Sequence, residues 1–183
     1  MKTYILPSLK LTAVLIIVCA VIYPLLVAGI AKTAPGGGDG VTVSYKGQIV
    51  GYEDIGQKFT EDKYFWSRPS AVDYNASGSG GSNKGPTNPD YLADVQKRID
   101  TFMVHNPGIK KTDIPVEMVT ASGSGLDPDI SVPSARVQVA RIARIRNKSE
   151  KELYALIDRI KEGSLFGPEK VNVLKLNVTL NTL

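Results

Sequence analysis

The stretch Leu11 to Ala31, LTAVLIIVCAVIYPLLVAGIA, limits this chain more than any other feature. It runs for about 21 residues without a charge, long enough to read as a membrane helix. At ~1.5 Å of rise per residue it spans ~31 Å, matching a hydrocarbon core of ~30 Å. Its Leu, Ile and Val residues favour insertion by ~0.3–0.6 kcal/mol each, outweighing smaller penalties for Thr12, Pro24 and Gly29. Pro24 frees a backbone carbonyl, so a kink is expected there. The remainder is too polar to follow this segment into lipid.

Competing readings of the stretch fit less well. A cleaved signal peptide has a shorter apolar region with a small-residue site behind it, which Gly29-Ile30-Ala31 imitates. Cys19 sits mid-helix behind bulky Val18, a poor lipoprotein anchor, and a buried core helix of this uniformity is uncommon. Lys2 and Lys10 precede the stretch and only Lys32 follows closely. That bias places the amino terminus in the cytoplasm and the rest of the chain outside it. The expected division is an anchor over residues 1–34 and one soluble α+β domain over 35–183.

Net charge is +4, of which Lys2 and Lys10 supply two. The weak balance left on the domain, without an aromatic-studded basic face, argues against nucleic acid. The single Cys lies in the apolar stretch, so the domain has neither a disulfide nor a Cys-based metal site.

Ala34 to Gly40, APGGGDG, reads as a flexible joint. Val41, Val43 and Tyr45 alternate with polar residues, and Lys46-Gly47 turns the chain toward a partner strand, Gln48 to Tyr52. Phe59, Tyr64, Phe65 and Trp66 are a packed aromatic edge of the core. Ser67 to Pro89 is an unusually long loop, of the kind that is functional or disordered.

Asn88-Pro89-Asp90 starts a helix with Leu92, Val95, Ile99, Phe102 and Met103 on one face, stopped at His105-Asn106-Pro107-Gly108. His105, the only histidine, is placed as a helix C-terminal cation. Val116 to Val119 is a short candidate strand, followed by a second Gly/Ser loop from Thr120. Ser131 caps the next predicted helix, where Arg141, Arg144 and Lys148 share a solvated arc opposite Val139, Ile142 and Ala143. Ser149 to Glu152 is a capping box, and Gly163 ends that helix. Leu174, Leu176, Val178 and Leu180 alternate with polar residues as a half-buried strand, with a bulge near Val173-Leu174. Strands at both ends with helices between define an α+β domain.

Catalytic parts are missing from this pattern, and no catalytic or metal-ligating residue is assigned. Ser122 and Ser124 lack a complete nucleophile-elbow pattern, and Asp127-Pro128-Asp129 reads as a turn. The candidate site is Ser79, Gly80, Gly81, Ser82, Asn83 and Lys84, whose backbone amides near a lysine form a possible anion nest. The block does not match the phosphate-binding loop pattern, so a docking loop is the leading reading. Any left-handed backbone there is expected at Gly80 and Gly81.

Three blocks together resemble one family: Tyr64 to Ala71 (YFWSRPSA), Ser79 to Pro89 (SGGSNKGPTNP) and Ile114 to Pro128 (IPVEMVTASGSGLDP). With the amino-terminal anchor and Val171 to Leu174, they are similar to the C subunit (KdpC) of Kdp-type potassium-transporting ATPases. Lys84 departs from the apolar residue expected after Ser82-Asn83. The resemblance implies a non-catalytic subunit of a plasma-membrane pump. Its implied partners are a channel-like potassium-translocating subunit, a P-type ATPase subunit and a small single-helix subunit. It further implies a catalytic chaperone that raises ATP affinity, with Ser79 to Asn83 as the nucleotide-related block and ATP engaged only in the assembled complex. A domain outside the cytoplasm does not meet cytosolic ATP, which favours docking over nucleotide contact. Without the resemblance, the alternative is a membrane-anchored extracytoplasmic ligand-binding module.

Overall fold

A computed structural model describes residues 2–164 and 167–183, so Met1 of the expected anchor lies outside the described residues. The chain divides into two compact units, one ending at Val41 and one spanning Thr42–Leu183. In the first, α1 (Lys2–Ile16) and α2 (Tyr23–Ala31) are joined by a π-helical segment, Ile17–Ile22. The apolar helix runs from Tyr4 to Ala31, 28 residues, and so begins earlier than the uncharged stretch at Leu11. A helix tolerates Lys10 near its end, because a lysine stem lies along apolar surface while its ammonium reaches water. Pro24 explains the π segment. It has no N–H to offer the preceding turn, and the helix widens ahead of it, where Tyr23 N–H reaches the Val18 carbonyl five residues back.

The second unit opens with the expected hairpin, β1 (Thr42–Tyr45) against β2 (Gln48–Tyr52). Lys46 (φ 51°) and Gly47 (φ 80°) both take the left-handed conformation that a two-residue hairpin turn demands. The long loop leads to α3 (Pro89–His105), where the Asn88 side chain accepts from Tyr91 N–H as an N-cap. Of its apolar stripe only Phe102 is buried, while Leu92 and Met103 stay exposed. Val116–Met118 is a 3-10 turn behind Pro115, not the expected strand.

β3 (Asp129–Ser131) runs into α4 (Val132–Arg136), capped by Ser131. The helix expected to continue from Ser131 is interrupted, and α5 (Val139–Arg146) starts anew after Gln138. α6 (Glu150–Ile160) carries the full capping box between Ser149 and Glu152. It ends at Ile160 because Lys161 is extended, so Gly163 lies not at a helix end but in β4 (Glu162–Ser164). β4 pairs with β5 (Gly167–Asn172), which also pairs with β3, giving an antiparallel sheet in the order β3-β5-β4.

The expected final strand is instead helix α7 (Val173–Leu180). Its buried residues are Val173, Leu174, Leu176, Asn177 and Leu180, a helical spacing with one polar member. Asn177 inside that face makes the sequence look alternating, and Asn172 caps the helix by accepting from Lys175 N–H. The α+β class holds. Phe65, Ile142, Leu153, Ile157, Leu176 and Leu180 centre its core.

Phe65 is fully buried, yet its backbone belongs to no strand. Asn177 satisfies it: Oδ1 accepts from Phe65 N–H and Nδ2 donates to Phe65 C=O, each at 2.9 Å. Gln138 grips the next residue likewise, accepting from Trp66 N–H at 2.7 Å and donating to Trp66 C=O at 3.2 Å. Two amide side chains thus replace a strand ladder.

Arg141 completes the grip and corrects the solvated arc, since it is buried while Arg144 is exposed. Its guanidinium lies 4.5 Å from the Trp66 ring centre and donates to Gln138 Oε1 (2.6 Å), Asn106 Oδ1 (3.0 Å) and the Asp62 carbonyl (2.9 Å). Burial pulls it down to about 10, against the Asp62 carboxylate, so it stays charged at neutral pH. His105, whose ring centre lies 4.9 Å from that of Trp66, brings Nδ1 to the Asp62 carboxylate at 2.8 Å.

Asn177→Leu leaves both Phe65 groups buried and unpaired, at an expected cost of about 2–5 kcal/mol. Ser149→Ala, at an exposed cap, should cost only about 1 kcal/mol. Urea unfolding of the full chain in detergent, followed by its single tryptophan, checks this order; equal costs would contradict it.

Candidate functional site in the paired loops

The first Gly/Ser loop starts from this framework, and the second lies against it. Trp66, held by Gln138, launches the first loop, and Pro69 C=O accepts from Ser122 N–H of the second at 3.0 Å. Ser70 is the pivot. Its hydroxyl donates to Gly125 C=O (2.7 Å) and accepts from Val72 N–H (3.2 Å) and Tyr74 N–H (2.9 Å). Asp73 (φ 51°) and Tyr74 (φ 61°) are consecutive left-handed residues without a glycine. Lys58 holds Asp73 at 2.6 Å, and the Tyr74 hydroxyl donates to Arg68 C=O. Burial pushes the Tyr74 phenol up to about 12, keeping it a neutral donor.

The candidate residues follow. Ser79 Oγ (2.8 Å) and Gly80 N–H (2.9 Å) both donate to the Ser124 carbonyl. Gly81 packs so near Gly123 that an added Cβ would stand 3.2 Å from its carbonyl oxygen. Neither Gly80 nor Gly81 is left-handed, contrary to expectation; that conformation falls on Asn83 (φ 54°) and, across the interface, on Gly125 (φ 68°). Lys84 is drawn 3.6 Å from Asp94 on α3. The structure therefore brings Ser79 and Gly80 onto the second loop and turns Lys84 away toward the helix.

The second loop is tied down as closely. Ser122 Oγ accepts from Gly125 N–H at 2.9 Å, and Ser124 Oγ accepts from Leu126 N–H at 3.1 Å. Arg68 Nη1 bridges the loops to Asp127 Oδ2 at 2.8 Å, with both side chains about one-quarter exposed. Asp127 Oδ1 also accepts from Asp129 N–H, the expected turn. Below, Glu117 accepts from Ser131 N–H at 2.7 Å. Burial raises its carboxyl, but hydrogen bonds from Ser134 and Ser131 outweigh that and hold it below the usual range.

These hydroxyls and amides serve the loops' own backbone. Among the described residues, no group of three or more His, Cys, Asp and Glu side chains is placed to hold a metal. Ser79 to Lys84 line neither the groove of about 610 Å³ beside α3 nor the one of about 310 Å³ beside β1 and α7. Sequence reasoning missed Tyr74, Arg68 and Ser70 as the loop's own framework. Ser-x-x-x-Tyr gave no signal, because the partners that tie Ser70 and Arg68 to the second loop, Gly125 and Asp127, lie 55 and 59 residues downstream.

Gly125 has no room for a side chain: a Cβ would sit 2.5 Å from Val72 Cγ2 and 2.8 Å from Gly80 O. Gly125→Ala is expected to destabilise by about 2–4 kcal/mol, combining overpacking with left-handed strain. Gly80→Ala, whose nearest added contact is an ordinary 3.9 Å, should stay within about 1 kcal/mol. Denaturant midpoints of the two variants check the contrast, and similar losses would contradict the geometry.

The sequence matches the family described as "KdpC: K+-transporting ATPase, c chain" over residues 5–182. Proteins named "Potassium-transporting ATPase KdpC subunit" resemble it along nearly their full length. That of Flavobacterium johnsoniae is 59% identical over 175 residues, covering 96% of each chain. That of Bacteroides fragilis is 50% identical over 189 residues, covering 100% of this chain and 98% of the relative. That of Caldanaerobacter subterraneus is 43% identical, covering 94% and 92%.

Proposed function

The chain belongs to the KdpC family, the c chain of K+-transporting ATPases, and on that premise we propose that it is a non-catalytic accessory subunit of an ATP-driven potassium uptake pump. Its apolar helix anchors it in the plasma membrane, with Lys2 and Lys10 on the cytoplasmic side and the second unit outside. Its partners are a channel-like potassium-translocating subunit, a P-type ATPase subunit and a small single-helix subunit. In this reading the paired loops are a preformed docking edge, positioned by the Arg141 framework. Preformed loops lose little conformational freedom on docking, which favours association.

The observation that carries the docking reading is the double donation of Ser79 hydroxyl and Gly80 N–H to one carbonyl, that of Ser124. An anion nest needs such donors free and convergent, whereas these two are used inside the chain. ATP affinity of the pump then depends on this subunit through assembly, not through phosphate contact at Ser79 to Lys84.

Purifying the tagged full chain from membranes should bring down three other membrane proteins. In that complex Lys84→Ala is expected to leave ATP affinity unchanged, because Lys84 meets only a part-exposed carboxylate at 3.6 Å. A several-fold loss of ATP affinity with the complex intact would contradict docking and restore the nucleotide reading.

A further inference from the structure

Beside the paired loops lies a groove of about 610 Å³ between the first loop and α3, bordered by none of the candidate residues. Its helical wall is Asp94, Lys97, Arg98, Thr101, Phe102 and His105, one face of α3 over three turns. The eleven steps from Asp94 to His105, at ~1.5 Å each, make this wall roughly 16 Å long, room for about five residues of extended chain. Trp66, Phe102 and Met118 form an apolar floor. Trp66 is fixed there by Gln138 and Arg141, with its ring edge-on to Phe102 at 6.2 Å. Facing α3, the loop wall contains Asp73 and Tyr74, the two consecutive left-handed residues, locked by Lys58 and Ser70. Strain held by surrounding bonds in a groove wall is a mark of a preorganised recognition surface.

The charge of the groove is one-sided once its internal pairs are removed. Lys58 is matched by Asp73 at 2.6 Å, and Asp94 faces Lys84 at 3.6 Å. Lys97 and Arg98 remain, and among the described residues neither is in an ion pair; Arg98 Nη1 bonds only the Val119 carbonyl. A trough of this length, with an apolar floor and two uncompensated cations on one rim, fits a chain segment that pairs an apolar side chain with a carboxylate.

We propose that this groove receives an extended acidic-apolar segment of a partner subunit of the pump. An apolar side chain rests on Trp66, Phe102 and Met118, and a carboxylate lies against Lys97 and Arg98. This rests on the accessory-subunit reading above and adds a second contact surface to the loops.

Thiol protection tests it. In a Cys19→Ser background, Thr101→Cys puts the chain's only thiol on the exposed groove wall. Labelling by a maleimide is followed on this chain by mass spectrometry, alone in detergent and in the purified pump. Labelling about tenfold or more slower in the pump is expected, and Lys97→Glu with Arg98→Glu should restore it or weaken retention of the chain by a similar factor. Equal labelling in both states overturns the groove proposal alone. Labelling of the isolated chain that slows as its own concentration rises assigns the groove to a second copy and also overturns it. Protection untouched by the charge reversals overturns the acidic partner, and absence of the chain from the pump overturns the accessory-subunit reading together with this one.

Discussion

Arg141 is buried with its charge intact, and such a group is tolerated only when every donor is met. Meeting them ties three segments together at once: Asp62 and Trp66 before the first loop, Asn106 after α3, and Gln138 between α4 and α5. Gln138 is shared, taking Arg141 and the Trp66 backbone on one oxygen, so the ring, the guanidinium and the residue that launches the first loop move together or not at all. Asn177 extends the same arrangement to Phe65 and α7. The result is an irregular segment held as firmly as a central strand.

Rigidity then passes into a region with almost no regular structure. The two Gly/Ser loops are bonded to each other at five points: Ser70 to Gly125, Pro69 to Ser122, Ser79 and Gly80 to Ser124, Arg68 to Asp127. Small residues are needed because the backbones nearly touch, as the crowding around Gly81 and Gly125 shows. The hydroxyls and amides of this edge are directed into the protein, which is what the docking reading proposed above rests on.

Much of this was legible in the sequence where the signal is local. The Lys46-Gly47 turn, the Asn88 and Ser131 caps and the Ser149-Glu152 box involve residues within four positions of one another, and each forms as expected. The terminal segment misled because Asn177 occupies a buried helical position, so its helical spacing passed for alternation. Arg141 was read as solvated because its acceptors are up to 79 residues away in the chain. Composition singles out the candidate loop, but its geometry depends on Ser124 and Gly125, which spacing within the loop does not reveal.

The central claim is that the loop edge depends on the Arg141 framework, and amide hydrogen exchange tests it directly in the full chain. In the parent protein the Phe65 and Trp66 amides should exchange only with global unfolding, because side-chain amides seal them from water. In Arg141→Met, the Gly80, Ser122 and Gly125 amides should lose protection together with that of Trp66, although Arg141 touches none of them. Loop amides that keep their protection while Trp66 loses its own would contradict the dependence.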